Sequence, residues 1–275
     1  MWKKLGVIFD EQHAQLPTVQ KIGRNFRVFY STKIDGKSAI NCFEINKNLE
    51  ITNKSSEPIF TAGERGCFDD SGVMPASVME DFLFYTGWNC NKGEVPYGHG
   101  IGVATIEIPL KLNRIYQGPL LDRTIHSPFL CNSPYVIRTK KGFKMWYCRG
   151  TGWDGDLPLY AIAEAYSKDF YTWEEEEETA LGEGNEAISR PCVIGRHMWY
   201  AYKTKTSPYK IGYAHYSRRK WHREDSSSFA LECSPKGWDS EMTCYPYCVS
   251  IEGELHMFYN GNGYGKTGIG VAKWE

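Results

Sequence analysis

The chain carries almost no excess charge of either sign: 32 Lys plus Arg stand against 33 Asp plus Glu, a net charge of −1. Without a whole-chain field to draw polyanions, nucleic acid and an anionic membrane surface are not expected partners, and any anion site must be local. No apolar run approaches the roughly 18 residues of a spanning helix, and the opening MWKKLGVIFDEQH is too short in apolar length for a secretory leader, so the expected location is cytoplasmic. The nine cysteines lack any paired metal-ligand spacing. Scattered singly through NCFEI, MWYCRG and RPCVI, they read as buried free thiols rather than as a disulfide framework or a zinc site. No cofactor motif appears, and no cluster of ligands identifies a divalent ion. A helix of consequence and an interdomain linker are missing as well.

Aromatic residues, in contrast, are abundant. They make up 15% of the chain, a fraction that suits β-sheet faces and sugar-stacking surfaces alike. With 41% hydrophobic and 24% charged residues, the chain can bury a sizeable core and is neither disordered nor fibrous.

The aromatics repeat. FRVFY, DFLFY, FKMWY, RHMWY and LHMFY end at Tyr30, Tyr85, Tyr147, Tyr200 and Tyr259. Each follows an x-Pro-x-hydrophobic start at Pro17, Pro75, Pro134, Pro191 and Pro246, spaced 58, 59, 57 and 55 residues apart. A third strand-like piece comes next in every unit (SAINCFEI, GIGVATIEI, YAIAEAYS, KIGYAHYS, GIGVAKWE), and most units add a fourth, such as EPIF, YQGPLL or SSFAL. Short strands at such a period predict an all-β five-bladed β-propeller of four-stranded antiparallel blades, residues 1–275 forming one domain. The last unit ends after three strands, and GVIFD at 6–10 matches GPLLD at 118–122, so the N-terminal strand is expected to close the last blade. WEEEEE at 173–178 reads as a solvated outer strand.

In such a ring the first strands line the axis, and the loops entering them share one face with the loops between second and third strands. The latter loops, TGWNCNKGEVPYGHG, CRGTGWDGDLPLY and NGNGYGKTG, offer Trp88, Asn89, Arg149, Trp153, Asp154, Asn260 and Asn262 as substrate-binding candidates. Rings cover the C–H face of a sugar while amides and carboxylates bond its hydroxyls, although Gly, Asn and Asp also simply make turns. Five residues before the repeat Pro, three units place a carboxylate: Asp70, Glu186 and Glu241. Glycosyl chemistry needs two carboxyl groups about 5 to 10 Å apart, so these are the catalytic candidates, with solvated loop acids as the plain alternative. His13 and His126, also in entering loops, are candidate acid/base or binding groups. Glu164 stands where other units have Val103, Tyr213 or Val271.

The residues RPCVIGRHMWYAY, YKIGYAHYS and YPYCVSIEGELHMFYNGNGYGKTGIGVA resemble the five-bladed propeller glycosidase superfamily, which includes glycoside hydrolase families 43 and 32. The resemblance covers all five units and implies action on glycosides through two or three carboxylates at the inner ends of the first strands, typically at or next to the repeat Pro. This chain departs from that pattern. The residues before the five prolines are Leu16, Met74, Ser133, Arg190 and Tyr245, with no acid among them. An arginine on the axis suits a carboxylate or phosphate ligand, unless it pairs with Glu186 or a neighbouring acid. The expected function is therefore carbohydrate-active: glycosidase-like hydrolysis or glycosyl transfer with funnel carboxylates as acid and base. The alternatives are a glycosyltransferase using a sugar-phosphate donor in polysaccharide assembly, and a non-catalytic glycan-binding propeller.

Overall fold

The structure is a computed structural model that describes the chain apart from Lys92, Gly184 and Asn185. It is all-β, with one helical turn. After β1 (Trp2–Phe9), the first unit contains β2 (Gln15–Ile22), β3 (Asn25–Ile34), β4 (Lys37–Ile45) and β5 (Ile51–Lys54). The second has β6 (Gly72–Met79), β7 (Phe82–Cys90), β8 (Tyr97–Glu107) and β9 (Lys111–Arg114). The third has β10 (Cys131–Thr139), β11 (Gly142–Asp154), β12 (Leu157–Ser167) and β13 (Glu174–Glu175). The fourth has β14 (Ala187–Ile194), β15 (His197–Lys203), β16 (Lys210–Ser217) and β17 (Lys220–Arg223). The fifth has β18 (Cys244–Ile251), β19 (Glu254–Asn260), the turn α1 (Asn262–Gly265) and β20 (Ile269–Trp274). Within each unit successive strands pair antiparallel, and in the fifth the outer partner of β20 is β1. The five first strands neighbour one another in cyclic order: β2 beside β6, then β10, β14, β18 and β2 again. Among the described residues no helix is long and apolar enough to cross a membrane.

One detail of the expected units is corrected. EPIF, YQGPLL and SSFAL are not the fourth strands, which lie earlier in sequence; each makes a single bridge to the third strand as the chain crosses to the next unit. The bridges are Ile40 with Phe60, Ile101 with Leu121, Ile162 with Leu181 and Ile211 with Leu231. Phe9 faces Ile269 in the same way, so the match of residues 6–10 to 118–122 is a match of bridges.

Each repeat tyrosine ends on an ion-paired acid. Its hydroxyl donates to a carboxylate: Tyr30 to Glu11 (3.3 Å), Tyr85 to Asp69 (3.2 Å), Tyr259 to Asp239 (2.9 Å), and Tyr147 and Tyr200 to Glu175 and Asp225. Every one of these acids also meets a base: Lys54, Arg114, Arg149, Arg223 and Lys4 respectively with Glu11, Asp69, Glu175, Asp225 and Asp239. A phenol buried in a core needs an acceptor and a buried acid needs a cation, and the triads supply both, with Asp69 Oδ1 left buried without a partner. Burial opposes ionisation of Glu175, but hydrogen bonds from Ser127, Thr124 and Tyr147 and the Arg149 charge outweigh it and hold the carboxyl below its usual range. The run at 173–178 does form the outer strand β13, with Glu174 and Glu176 to Glu178 exposed, and the Glu175 side chain is its buried structural member. The Ile-Gly-x-Ala glycines have a related cause: a Cβ on Gly102 would lie 2.2 Å from the Tyr85 ring, and one on Gly212 2.6 Å from the Tyr200 ring.

Each first strand is irregular at its proline. The register shifts between Gln15 and Thr18, Pro75 and Ser77, Asn132 and Tyr135, Ser189 and Cys192, and Cys244 and Tyr247. Four of the residues before Pro are left-handed: Leu16 (φ 59°), Ser133 (50°), Arg190 (60°) and Tyr245 (57°). A residue before Pro ordinarily prefers extended backbone, and a non-Gly residue in this region costs about 1–3 kcal/mol. What the bulge delivers is direction. All five residues before the prolines face one cavity.

Candidate binding site on the axis

That cavity holds about 260 Å³. Its floor is the ring of Leu16, Met74, Ser133, Arg190 and Tyr245. Its walls come from Asn132 on the first strand of the third unit and, for the rest, from the ends of second and third strands and the segments between them: Thr86, Tyr97 and His99 from the second unit, Tyr160 from the third, Lys203 and Tyr209 from the fourth, Tyr264 from the fifth. The charged residues among the described lining are Arg190 and Lys203; there is no Asp or Glu.

Arg190 is 3% exposed. Its Nη1 donates to Pro75 O (2.5 Å), and its Nη2 reaches Leu16 O (3.1 Å), Pro17 O (2.9 Å) and Thr18 Oγ1 (2.6 Å). These acceptors belong to the first strands of the first and second units, so the side chain spans the axis from the fourth. Nε is buried without a partner. Neither Glu186 nor any other described carboxylate pairs with it. Burial pulls its pKa down to about 10, with the neighbouring Tyr247 and Cys192 pushing the other way, so the guanidinium stays charged at neutral pH. Because neutral carbonyls take its tip, Arg190 is not a free bidentate clamp. It braces three strands and leaves its charge uncompensated beneath the cavity.

Lys203 is the cation a ligand would touch. Its Nζ lies over the rings of Tyr209 (4.9 Å) and Tyr264 (5.3 Å) and donates to Tyr264 Oη at 3.3 Å, a geometry that holds an ammonium without neutralising it. On the opposite wall, Asn132 Nδ2 lies 3.1 Å from His99 Nδ1. With the amide donating there, the imidazole proton sits on Nε2. Burial pushes the His99 pKa down to about 4, so the ring is neutral, and Tyr97 stacks on it at 4.7 Å. Burial likewise raises Tyr160 and Tyr245, whose phenols stay protonated donors.

Of the residues before the prolines all five line the cavity, Arg190 and Tyr245 among them; the other catalytic and binding candidates lie elsewhere. Asp70 caps a turn, accepting from Gly66 N and Ser71 Oγ, both at 3.0 Å. Glu186 is held by Arg223. Glu241 is exposed, and its N–H donates to Asn262 Oδ1 (2.8 Å). The three acids do not meet in this cavity. Arg149 belongs to the Tyr147–Glu175 triad. Asn260 is fully buried and ties the fifth unit to the first through Leu16 N and Ala14 O. Asn262 organises its own loop, Trp88 donates to Ser38 Oγ (2.5 Å), and Trp153 packs edge-on to Tyr97. Asp154 pairs with Lys205 (2.7 Å); half-buried Asn89 and His126 and exposed His13 lie away from the lining. Glu164 is saturated by Trp146, Trp221, Tyr166 and Lys144. No group of three His, Cys, Asp or Glu among the described residues could hold a metal ion.

The wall residues carry little sequence signal. Lys203 ends β15, Tyr209 lies in the loop that follows and Tyr264 in the turn α1, and only the fold brings them together. The triad acids are equally hidden, lying 19, 16 and 20 residues before their tyrosines in three units and 28 and 25 after in two.

No protein-family profile matches the chain. Two curated proteins of Mycobacterium tuberculosis, the uncharacterized proteins MT1551 and Rv1502, are each 32% identical to it over 301 aligned residues, spanning 100% of this chain and 99% of theirs. Among solved structures, that of BT0996 in an RGII complex is similar with a TM-score of 0.74 at 17% identity, over 99% of this chain and 91% of that one. The endo-arabinase of Bacteroides thetaiotaomicron gives 0.71 at 14% identity, over 98% of both chains. Family-43 and GH130 glycoside hydrolases are further structural neighbours. At these identities the likeness establishes the fold, that of the propeller glycosidases.

Proposed function

The chain belongs to the family of the two mycobacterial proteins, and for this member we propose a five-bladed propeller, residues 1–275 as one domain, whose axial cavity binds a sugar bearing an anionic group. One observation carries the reading: at the place where relatives of this fold are expected to gather carboxylates, the described lining has Arg190 and Lys203 and no acid. Two positive charges without counter-ions favour a phosphate or carboxylate ligand. The tyrosines and His99 supply ring faces and neutral donors suited to a sugar. Hydrolysis by paired carboxylates requires acids across the anomeric carbon. Asp70, Glu186 and Glu241 instead serve a turn, an ion pair and a loop.

Calorimetric titration of hexose 1-phosphates and uronates beside their neutral parent sugars tests the reading. A charge-assisted bond is worth about 1.5–3 kcal/mol, so the anionic forms are expected to bind about 10- to 100-fold more tightly. Equal affinity for the neutral sugars would remove it. A second reading, glycosyl transfer from a sugar-phosphate donor, draws on the same acid-free cavity, in which Lys203 would hold the departing phosphate. Phosphate release from a hexose 1-phosphate in the presence of a sugar acceptor would support transfer, and tight binding without release would leave recognition alone.

A further inference from the structure

Building on that reading, we infer that the axial site accepts its anionic sugar end-on, as a free monosaccharide or the terminal unit of a chain, and excludes the same sugar inside a chain. Contacts between neighbouring units border the mouth. Trp88 bonds Ser38 and Lys37 reaches Asp70 O (2.8 Å), joining the first and second. Tyr97 packs on Trp153 with ring centroids 5.3 Å apart, and Asp154 pairs with Lys205 at 2.7 Å, continuing to the third and fourth. Lys203 bonds Tyr264, joining the fourth and fifth, while the fifth meets the first lower down, where the buried Asn260 bonds Leu16 N (2.9 Å) and Ala14 O (2.8 Å).

A polymer lying across a site needs two exits at the rim, and four of the five junctions between adjacent units are linked there. Nor is there a way out below, where Arg190 crosses the axis to Pro75 O, Leu16 O and Pro17 O. At about 260 Å³ the cavity has room for one ring and its charged substituent, below the ~300–1,000 Å³ of sites that enclose larger ligands.

The test uses the full chain. Glucose, galactose and mannose 1-phosphates and galacturonic and glucuronic acids are titrated by calorimetry, and each one that binds is compared with the same anionic unit carrying a sugar on both sides. The flanked unit is expected to bind at least about tenfold more weakly. Equal or tighter binding of the flanked unit overturns end-on recognition and leaves the anionic-sugar reading standing. If none of the anionic monosaccharides binds, that reading falls and the inference with it.

Discussion

At the scale of single residues, Arg190 is the clearest signal in the sequence, because alignment of the five x-Pro starts by itself assigns it an axial position. Its partners are not legible there, since three of them are backbone carbonyls on strands whose side chains say nothing about them. Removing its donors would strand buried acceptors, each costing about 1–3 kcal/mol. Arg190→Met is therefore expected to lower unfolding free energy by about 3 kcal/mol or more in urea titration, with Arg190→Lys recovering part. His99 gives a pH dependence. Its folded pKa of about 4 lies below the ordinary 6.5, so between those values the unfolded chain takes up a proton that the folded chain refuses. Stability from this group is complete above pH 6.5 and declines as pH falls toward 4, by at most about 3 kcal/mol. The difference between urea midpoints at pH 7 and pH 5 is expected to shrink in His99→Gln; an unchanged difference would mean that His99 is not the group responsible.

At the scale of elements, strand order and repeat are readable because Pro, Tyr and Gly recur for steric reasons: Pro marks the bulge, Tyr fills the core and Gly makes room for the Tyr ring. The fourth strands escape a reading by hydrophobicity because the crossover bridges are more apolar than the true outer strands, such as the fully exposed Ile51–Lys54. The acid pattern misleads by one position in the second unit, where Asp69 beside Asp70 is the buried partner of Tyr85, and by two in the fifth, where Asp239 rather than Glu241 partners Tyr259. The bulge predicts a substitution pattern. At Ser133, with φ 50°, Asn adopts the left-handed region readily, whereas a β-branched residue does not. Ser133→Asn is expected to stay within about 0.5 kcal/mol of the parent and Ser133→Val to lose about 1–2 kcal/mol by chemical denaturation.

For the whole molecule, the N-terminal strand matters most. Trp2 and Phe9 are buried against the fourth, fifth and first units, and β1 covers the edge of β20. Two buried aromatic side chains account for several kcal/mol of a total stability of about 5–15 kcal/mol. A chain lacking residues 1–10 is expected to lose cooperative thermal unfolding or to aggregate through the exposed strand edge, as circular dichroism and light scattering would report. The architecture is legible in the sequence because it repeats; the site is not, because its walls are the parts of the units that do not.

An acid-free, cationic cavity on the axis is proposed to read negative charge on a sugar. The most direct measurement of this is the affinity ratio between a hexose 1-phosphate and its parent hexose, compared in the native chain and in Lys203→Met. The expected ratio is about 10 to 100 and collapses toward one when the ammonium is removed. A native ratio near one, or a large ratio that Lys203→Met leaves intact, would contradict it.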